Sequence, residues 1–232
     1  MDSKDNILCI IPARGGSKGI PLKNIKKMGG KPLICHSIDV ARGIVNDEDI
    51  CVSTDDPRII QVVENYGLKV PFIRPEALAT DAASSFDVLK HALEYYAGQG
   101  KYYDIILLLQ PTSPLRKIIH VKEAISLYND DIDMVVSVKR SHSASVLCNE
   151  DENGYLNLTL NHAANRRQDM PLYYEYNGAV YIINIKSFQS AKDLSFSKCK
   201  KYVMDEIFSV DIDDIVDFEY AEFLMNMNYE EK

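Results

Sequence analysis

The chain has 232 residues, 46% apolar and 26% charged, the balance of an ordinary globular protein rather than a disordered one. Its formal charge of −8 argues against a general nucleic-acid binder, which needs a basic face. No apolar run approaches the ~20 residues needed to span a bilayer, and the polar, acid-containing start MDSKDN does not read as a signal peptide, so the expectation is a cytoplasmic protein with no membrane partner.

The apolar runs 7–11 (ILCII), 49–54 (DICVST), 69–73 (KVPFI), 104–109 (DIILLL) and 133–138 (DMVVSV) read as strands, and the segments between them carry helical spacing. In 84–98, for example, Phe86, Leu89, Leu93 and Tyr96 share a face. Strands apolar on both sides require helices on both faces of the sheet. The alternation therefore predicts an α/β fold with a doubly wound, mostly parallel sheet in one domain over 1–232. Function in such folds gathers at the carboxyl ends of the strands. The segments IPARGGSKGIPLKN (11–24), STDD (53–56) and QPTSPLR (110–116) stand there. From about 139 the alternation stops. Residues 139–176 hold a hairpin signal, ENGYL, and read as an inserted arm before NGAVYIINI (177–185) rejoins the sheet. The last segment carries a helical stripe of Val216, Tyr220, Phe223, Leu224 and Met227.

Cys9, Cys35, Cys51, Cys148 and Cys199 form no paired motif, which argues against a disulfide framework or a zinc site. Charge is unevenly placed. Residues 1–31 contain seven Lys/Arg and two acids, whereas 205–232 contain ten acids and one lysine. With a negative chain overall, any anion site must be local. After a buried strand, the glycines of GGSKG let backbone amides converge, and a following helix would add its positive end. Arg14 and Lys23 flank that loop. It matches neither a Walker A loop nor GxGxxG. A glycine-rich turn with solvated lysines accounts for Lys26, Lys27 and Lys31, but not for an arginine directly after a buried strand.

IPARGGSKGIPLKN, VSTDD, RPEALATDAASS, LLLQPTSPLR, RRQDMP, NGAVYI and SVDIDD, in this order, resemble the N-acylneuraminate cytidylyltransferases, the CMP-sialic acid synthetases. The resemblance runs from about residue 7 to 225. It implies coupling of CTP to a nonulosonic (sialic-type) acid, giving the CMP-sugar and pyrophosphate, with Mg²⁺ as cofactor and a homodimer formed through the arm. On that pattern Arg14 and Lys23 contact the triphosphate, Ser17 lies among the phosphate-binding amides, and Asn24 contacts the nucleoside. Arg74, Ser84 and Ser85 read the cytidine, although Asp81 or a serine could equally cap the next helix. Gln110, Arg167, Asn177 and Tyr181 bind the sugar acid, Arg167 reaching its carboxylate across the dimer. For Tyr181 a packed core aromatic is an equal reading, and for Arg116 the alternative is a structural ion-pair partner. Asp211 and Asp213 alternate on an expected strand, so their carboxylates share a face that suits Mg²⁺; Asp214 caps the last helix. Arg14, Lys23 and Asp211 are thus the expected catalytic groups.

The sequence departs from bacterial sialic acid enzymes of this family in two places. They carry an arginine shortly before the NG pair and a lysine in the arm's first strand. Here Glu175 stands at the first position and SHSASVL lacks the lysine. A negative side chain near the sugar pocket would discriminate among substrates, which brings legionaminic acid forward beside N-acetylneuraminic acid. Two other readings stand beside this one: a cytidylyltransferase for the eight-carbon 3-deoxy-octulosonic acid, and a non-catalytic nucleotide-binding subunit.

Overall fold

A computed structural model describes residues 6–141, 143, 146–159 and 171–227. Strands β1 (Ile7–Pro12), β4 (Ile50–Ser53), β5 (Ile105–Leu108) and β6 (Met134–Arg140) form from four of the apolar runs. With β9 (Tyr174–Asn184) and β10 (Cys199–Val203) they make a six-stranded sheet ordered β10-β6-β9-β5-β1-β4. β1 pairs in parallel with β4 and β5, and β10 with β6, while β9 runs against both β5 and β6. The sheet is therefore mostly parallel with one reversed strand. The fifth expected strand, 69–73, does not form. Pro71 has no N–H to give a ladder, and only an isolated bridge joins Ile73 to Thr54.

Helices cover both faces, as the doubly buried strands require. One core joins α1 (Leu33–Arg42), α2 (Pro57–Asn65) and α4 (Ile118–Ser126) to one face of the sheet. Another joins α3 (Ser85–Gly98) and α5 (Ile185–Ser190) to the other face. The cysteines on β1, α1 and β4 are buried free thiols that behave as small hydrophobes. Within 139–176 the described residues form the short hairpin β7 (Cys148–Glu150) and β8 (Leu156–Leu158), whose turn is closed by Asp151 accepting from the amides of Asn153 and Tyr155.

A third, smaller core decides where the site lies. Ile20, Met28 and Leu33 from the chain's start pack on Ile212, Phe218 and Ala221 from its end. Each of the buried Ile, Met, Leu and Phe side chains among them contributes about 1.5–3 kcal/mol. The tiny ribbon of β2 (Lys27–Met28) and β3 (Lys31–Pro32) sits on α6 (Ile215–Asn226), with Lys26 Nζ 5.1 Å from the Phe218 ring centre. Gly29 N donates to Glu222 at 3.1 Å. On α6 apolar side chains occur on exposed as well as buried sides, beside Asp217, Glu219 and Glu222, so periodicity could not select its buried face. Phe218, Ala221 and Leu224 turn inward, whereas Val216, Tyr220, Phe223 and Met227 of the expected stripe are exposed.

Candidate active site

The loops after β1 and β5, the segment from Arg74 into the start of α3 and residues 211–213 open onto a cleft of about 460 Å³, a volume typical of small-molecule sites. Arg14, Ser17, Lys18, Lys23 and Asn24 line one side, and Arg74, Thr80, Asp81, Ala83 and Ser85 another. Gln110, Thr112, Asp211 and Asp213 close it. The basic start and acidic end of the chain meet directly: Lys23 Nζ donates to the Ile212 carbonyl at 2.5 Å.

Loop 13–19 is held by short contacts. Gly15 N donates to Asp55 at 3.0 Å, Ser17 N to the Gly15 carbonyl at 3.1 Å, and Asn24 Nδ2 to the Arg14 carbonyl at 3.0 Å. The amides of Gly15 and Ser17 are thus already engaged. The expected helix end is also missing, because only a 3₁₀ turn, Lys23–Ile25, follows the loop and α1 begins at Leu33. Arg14, Lys18 and Lys23 therefore bring positive charge to the cleft without a helix end behind them. Leu22, in the left-handed region at φ 56°, turns the chain immediately before Lys23.

Asp211 and Asp213 do not lie on a strand. Residues 209–212 carry no regular secondary structure and are joined to the post-β5 loop by Ile212 N donating to the Thr112 carbonyl at 2.8 Å. Alternation survives because Ile212 is buried in the third core, which leaves both flanking carboxylates on the cleft side. Asp211 reaches solvent through the open cleft, yet the crowding walls push its carboxyl above the ordinary range. The Thr112 hydroxyl opposes that shift, Asp213 adds to it, Lys23 opposes it and Asp217 adds to it. Two carboxylates in one crowded corner call for a cation between them. Among the described residues no group of three or more His, Cys, Asp or Glu is placed to hold a metal. Two carboxylates fit Mg²⁺, which takes one or two of them together with phosphates and water. Asp214 caps α6 by accepting from the amides of Val216 and Asp217.

The remaining expected residues divide. Gln110 and Ser85 line the cleft, while Ser84 caps α3, its hydroxyl accepting from Asp87 N at 3.1 Å. Arg74 lines the cleft but is buried, and it donates to the Ser53 hydroxyl at 3.0 Å, the Ser53 carbonyl and the Leu78 carbonyl. Burial lowers its pKa. Tyr181 lies close enough to Asp211 to feel its charge. Burial first, then Asp211 and Tyr176, push its hydroxyl to about 12. Arg167 lies outside the described residues. Arg116 is a structural cation without a carboxylate partner among the described residues. It is buried and donates to the carbonyls of Gln110 (2.7 Å), Ser113 (3.0 Å) and Ala179 (3.1 Å), and so sets the cleft-wall backbone.

Asn177 corrects the sequence reading. Its Oδ1 accepts from the Ser137 hydroxyl (2.6 Å) and Ala179 N (3.2 Å), and its Nδ2 donates to Ser209 (2.9 Å) and Met204 Sδ (3.4 Å). Nothing remains for a ligand. This amide instead pins the irregularity in β9 where pairing with β6 shifts between Val136 and Val138. Its neighbour Gly178 has φ 72°, and a Cβ there would lie 2.7 Å from Gln110 Oε1 and 3.4 Å from Asp211 Oδ2. Asn177→Ala should therefore lower stability by about 2–4 kcal/mol in urea unfolding, because several buried partners are stranded. A change below 0.5 kcal/mol would contradict the clamp.

Asp55, Asp81 and Thr112 contribute to the site without having been singled out as site residues. Their signal lay inside the same motifs, STDD, TDAASS and QPTS, where chemistry alone does not rank one acid or hydroxyl over another.

A family model described as cytidylyltransferase matches residues 8–232. The chain belongs to the cytidylyltransferase family. It is 35% identical to CMP-N,N'-diacetyllegionaminic acid synthase of Legionella pneumophila, over 97% of this chain and 98% of that protein. It is 40% identical to an N-acylneuraminate cytidylyltransferase of Streptococcus agalactiae, over 91% of this chain but only 51% of that protein. The chain thus spans about half the length of that relative. Among solved structures, a CMP:2-keto-3-deoxy-manno-octonic acid synthetase complexed with CTP matches with a TM-score of 0.70 at 20% identity, covering 97% of this chain and 100% of that one. At that identity the likeness speaks for the cytidylyltransferase fold. No helix among the described residues is long and apolar enough to cross a membrane.

Proposed function

We propose that the protein is an enzyme that couples CTP to a nonulosonic acid, forming the CMP-sugar and pyrophosphate. The observation that carries this reading is the cleft in which Arg14, Lys18 and Lys23 face Asp211 and Asp213, with Lys23 fastened to the Ile212 carbonyl. The sugar's anomeric oxygen would attack the α-phosphorus, and the bond to the bridging oxygen of pyrophosphate would break. Such a transfer needs alignment and neutralised phosphate charge rather than covalent help. Arg14 and Lys23 supply the positive charge, Asn24 and Ser17 shape the loop, and Arg74 with Ser85 lines the nucleoside side. Asp211 and Asp213 would hold Mg²⁺, which would supply positive charge to the phosphates and acidify the attacking hydroxyl.

Gln110 and Tyr181, beside Asp211, would meet the sugar acid. Arg167 is proposed for its carboxylate, since a bidentate guanidinium matches that group. Glu175 does not face the sugar as an isolated charge. Lys139 Nζ lies 3.6 Å away and Ser141 donates to it, so it acts through the β6–β9 rim. The near full-length match to the legionaminic acid enzyme supports legionaminic acid, beside N-acetylneuraminic acid, as a substrate of the class. A homodimer is proposed because Tyr155, Leu156 and Leu158 on the arm hairpin, with Leu172, leave a large apolar surface exposed.

The test is pyrophosphate release from CTP and Mg²⁺ with legionaminic, N-acetylneuraminic, pseudaminic and 3-deoxy-octulosonic acids offered separately. Turnover of at least one nonulosonic acid is expected. Turnover of the eight-carbon acid alone overturns the substrate class, and turnover of none favours a non-catalytic subunit.

A further inference from the structure

Arg14 and Lys18 are not free in the cleft. Arg14 NH1 lies 2.6 Å from Asp81 Oδ1, and Lys18 Nζ lies 2.7 Å from Asp81 Oδ2. One carboxylate thus bridges two cations of the anion loop, an oxygen to each. It comes from the opposite wall, on the segment between Leu78 and α3, and all three residues line the same cleft. Among the described residues these are the only ion pairs that Arg14 and Lys18 make. Asp55, also near the loop, is occupied with the Gly15 amide.

We propose that Asp81 governs the departure of pyrophosphate, reclaiming Arg14 and Lys18 as the product leaves the loop. This rests on reading the cleft as a CTP site. A polyphosphate that takes these cations must either displace Asp81 or sit beside its negative charge. Either way its affinity is reduced, while a ligand that leaves Arg14 and Lys18 alone is unaffected. The internal carboxylate therefore weakens the hold on any polyphosphate at this loop, the leaving product included, and spares ligands that do not reach it. The pair is solvent-exposed, so the effect is a modest one and shrinks with salt.

The experiment is titration calorimetry with inorganic pyrophosphate, CTP and CMP, in low salt with Mg²⁺, on the wild type, Asp81→Asn and Asp81→Glu. Asp81→Asn should bind pyrophosphate and CTP about three- to tenfold more tightly, with CMP changed less than about twofold. Asp81→Glu should return toward wild-type affinity, and pyrophosphate should become a stronger product inhibitor of Asp81→Asn. A residue that only shaped the wall would weaken CMP and pyrophosphate together. Unchanged or weaker pyrophosphate binding by Asp81→Asn, with wild-type CTP binding normal, overturns this proposal alone. Failure of the wild type to bind either CTP or pyrophosphate overturns the CTP reading and this proposal with it.

Discussion

Replacing Lys23 by methionine lowers kcat/KM for CTP by about 100- to 1000-fold in a pyrophosphate-release assay, the scale expected when one preorganised charge at a transition state is removed. Methionine keeps most of the aliphatic stem, so packing along the 3₁₀ turn is largely retained and the change isolates the ammonium group. That group sits at the junction of the two halves of the site, donating to the Ile212 carbonyl and acting on Asp211. The fold should persist, because the loop is fastened by Ile20, Met28 and Leu33 against Ile212 and Phe218 rather than by Lys23 alone. A loss smaller than tenfold with an intact fold would remove Lys23 from the machinery.

Asp211→Asn should reduce Mg²⁺-dependent turnover by a comparable factor, about 100-fold or more. Its effect on stability should run the other way. The pKa of Asp211 is raised by crowding and by Asp213, so its ionised form is disfavoured in the folded protein at neutral pH. A neutral amide relieves that penalty, and the melting temperature should rise slightly even as activity disappears. Functional sites commonly show this opposition. A fall in melting temperature together with retained activity would mean that Asp211 is a structural acid.

Most of the sheet was legible in the sequence because β1, β4, β5 and the start of β6 are apolar runs, whereas the edge strand β10, with Lys200 and Lys201 and largely exposed, carried no such signal and was not expected. Segment 69–73 misled because side-chain character favoured a strand while Pro71 removed a ladder donor. The outward face of α6 was illegible for a different reason. A helix whose apolar side chains are spread over exposed and buried sides alike offers no clear periodicity from which to choose. At the site, residue types and motif order marked Arg14, Lys23, Asp211 and Asp213, all of which line one cleft. They could not show that Asn177 spends its whole amide on Ser137, Ala179, Ser209 and Met204, since those partners are scattered through the chain. Nor could they show Asp81 closing on Arg14 and Lys18, a contact made only when two loops from different strands face each other. Sequence names the chemistry available; tertiary packing decides which groups are already taken.

The most direct test of the joint site is a double-mutant cycle on Mg²⁺·CTP affinity with Lys23→Met and Asp211→Asn. If the cation and the carboxylate grip the same triphosphate, each single change weakens binding about tenfold and the pair together by no more than about thirtyfold. Losses that multiply to about a hundredfold would mean that the two residues act independently, contradicting a single site built from both ends of the chain.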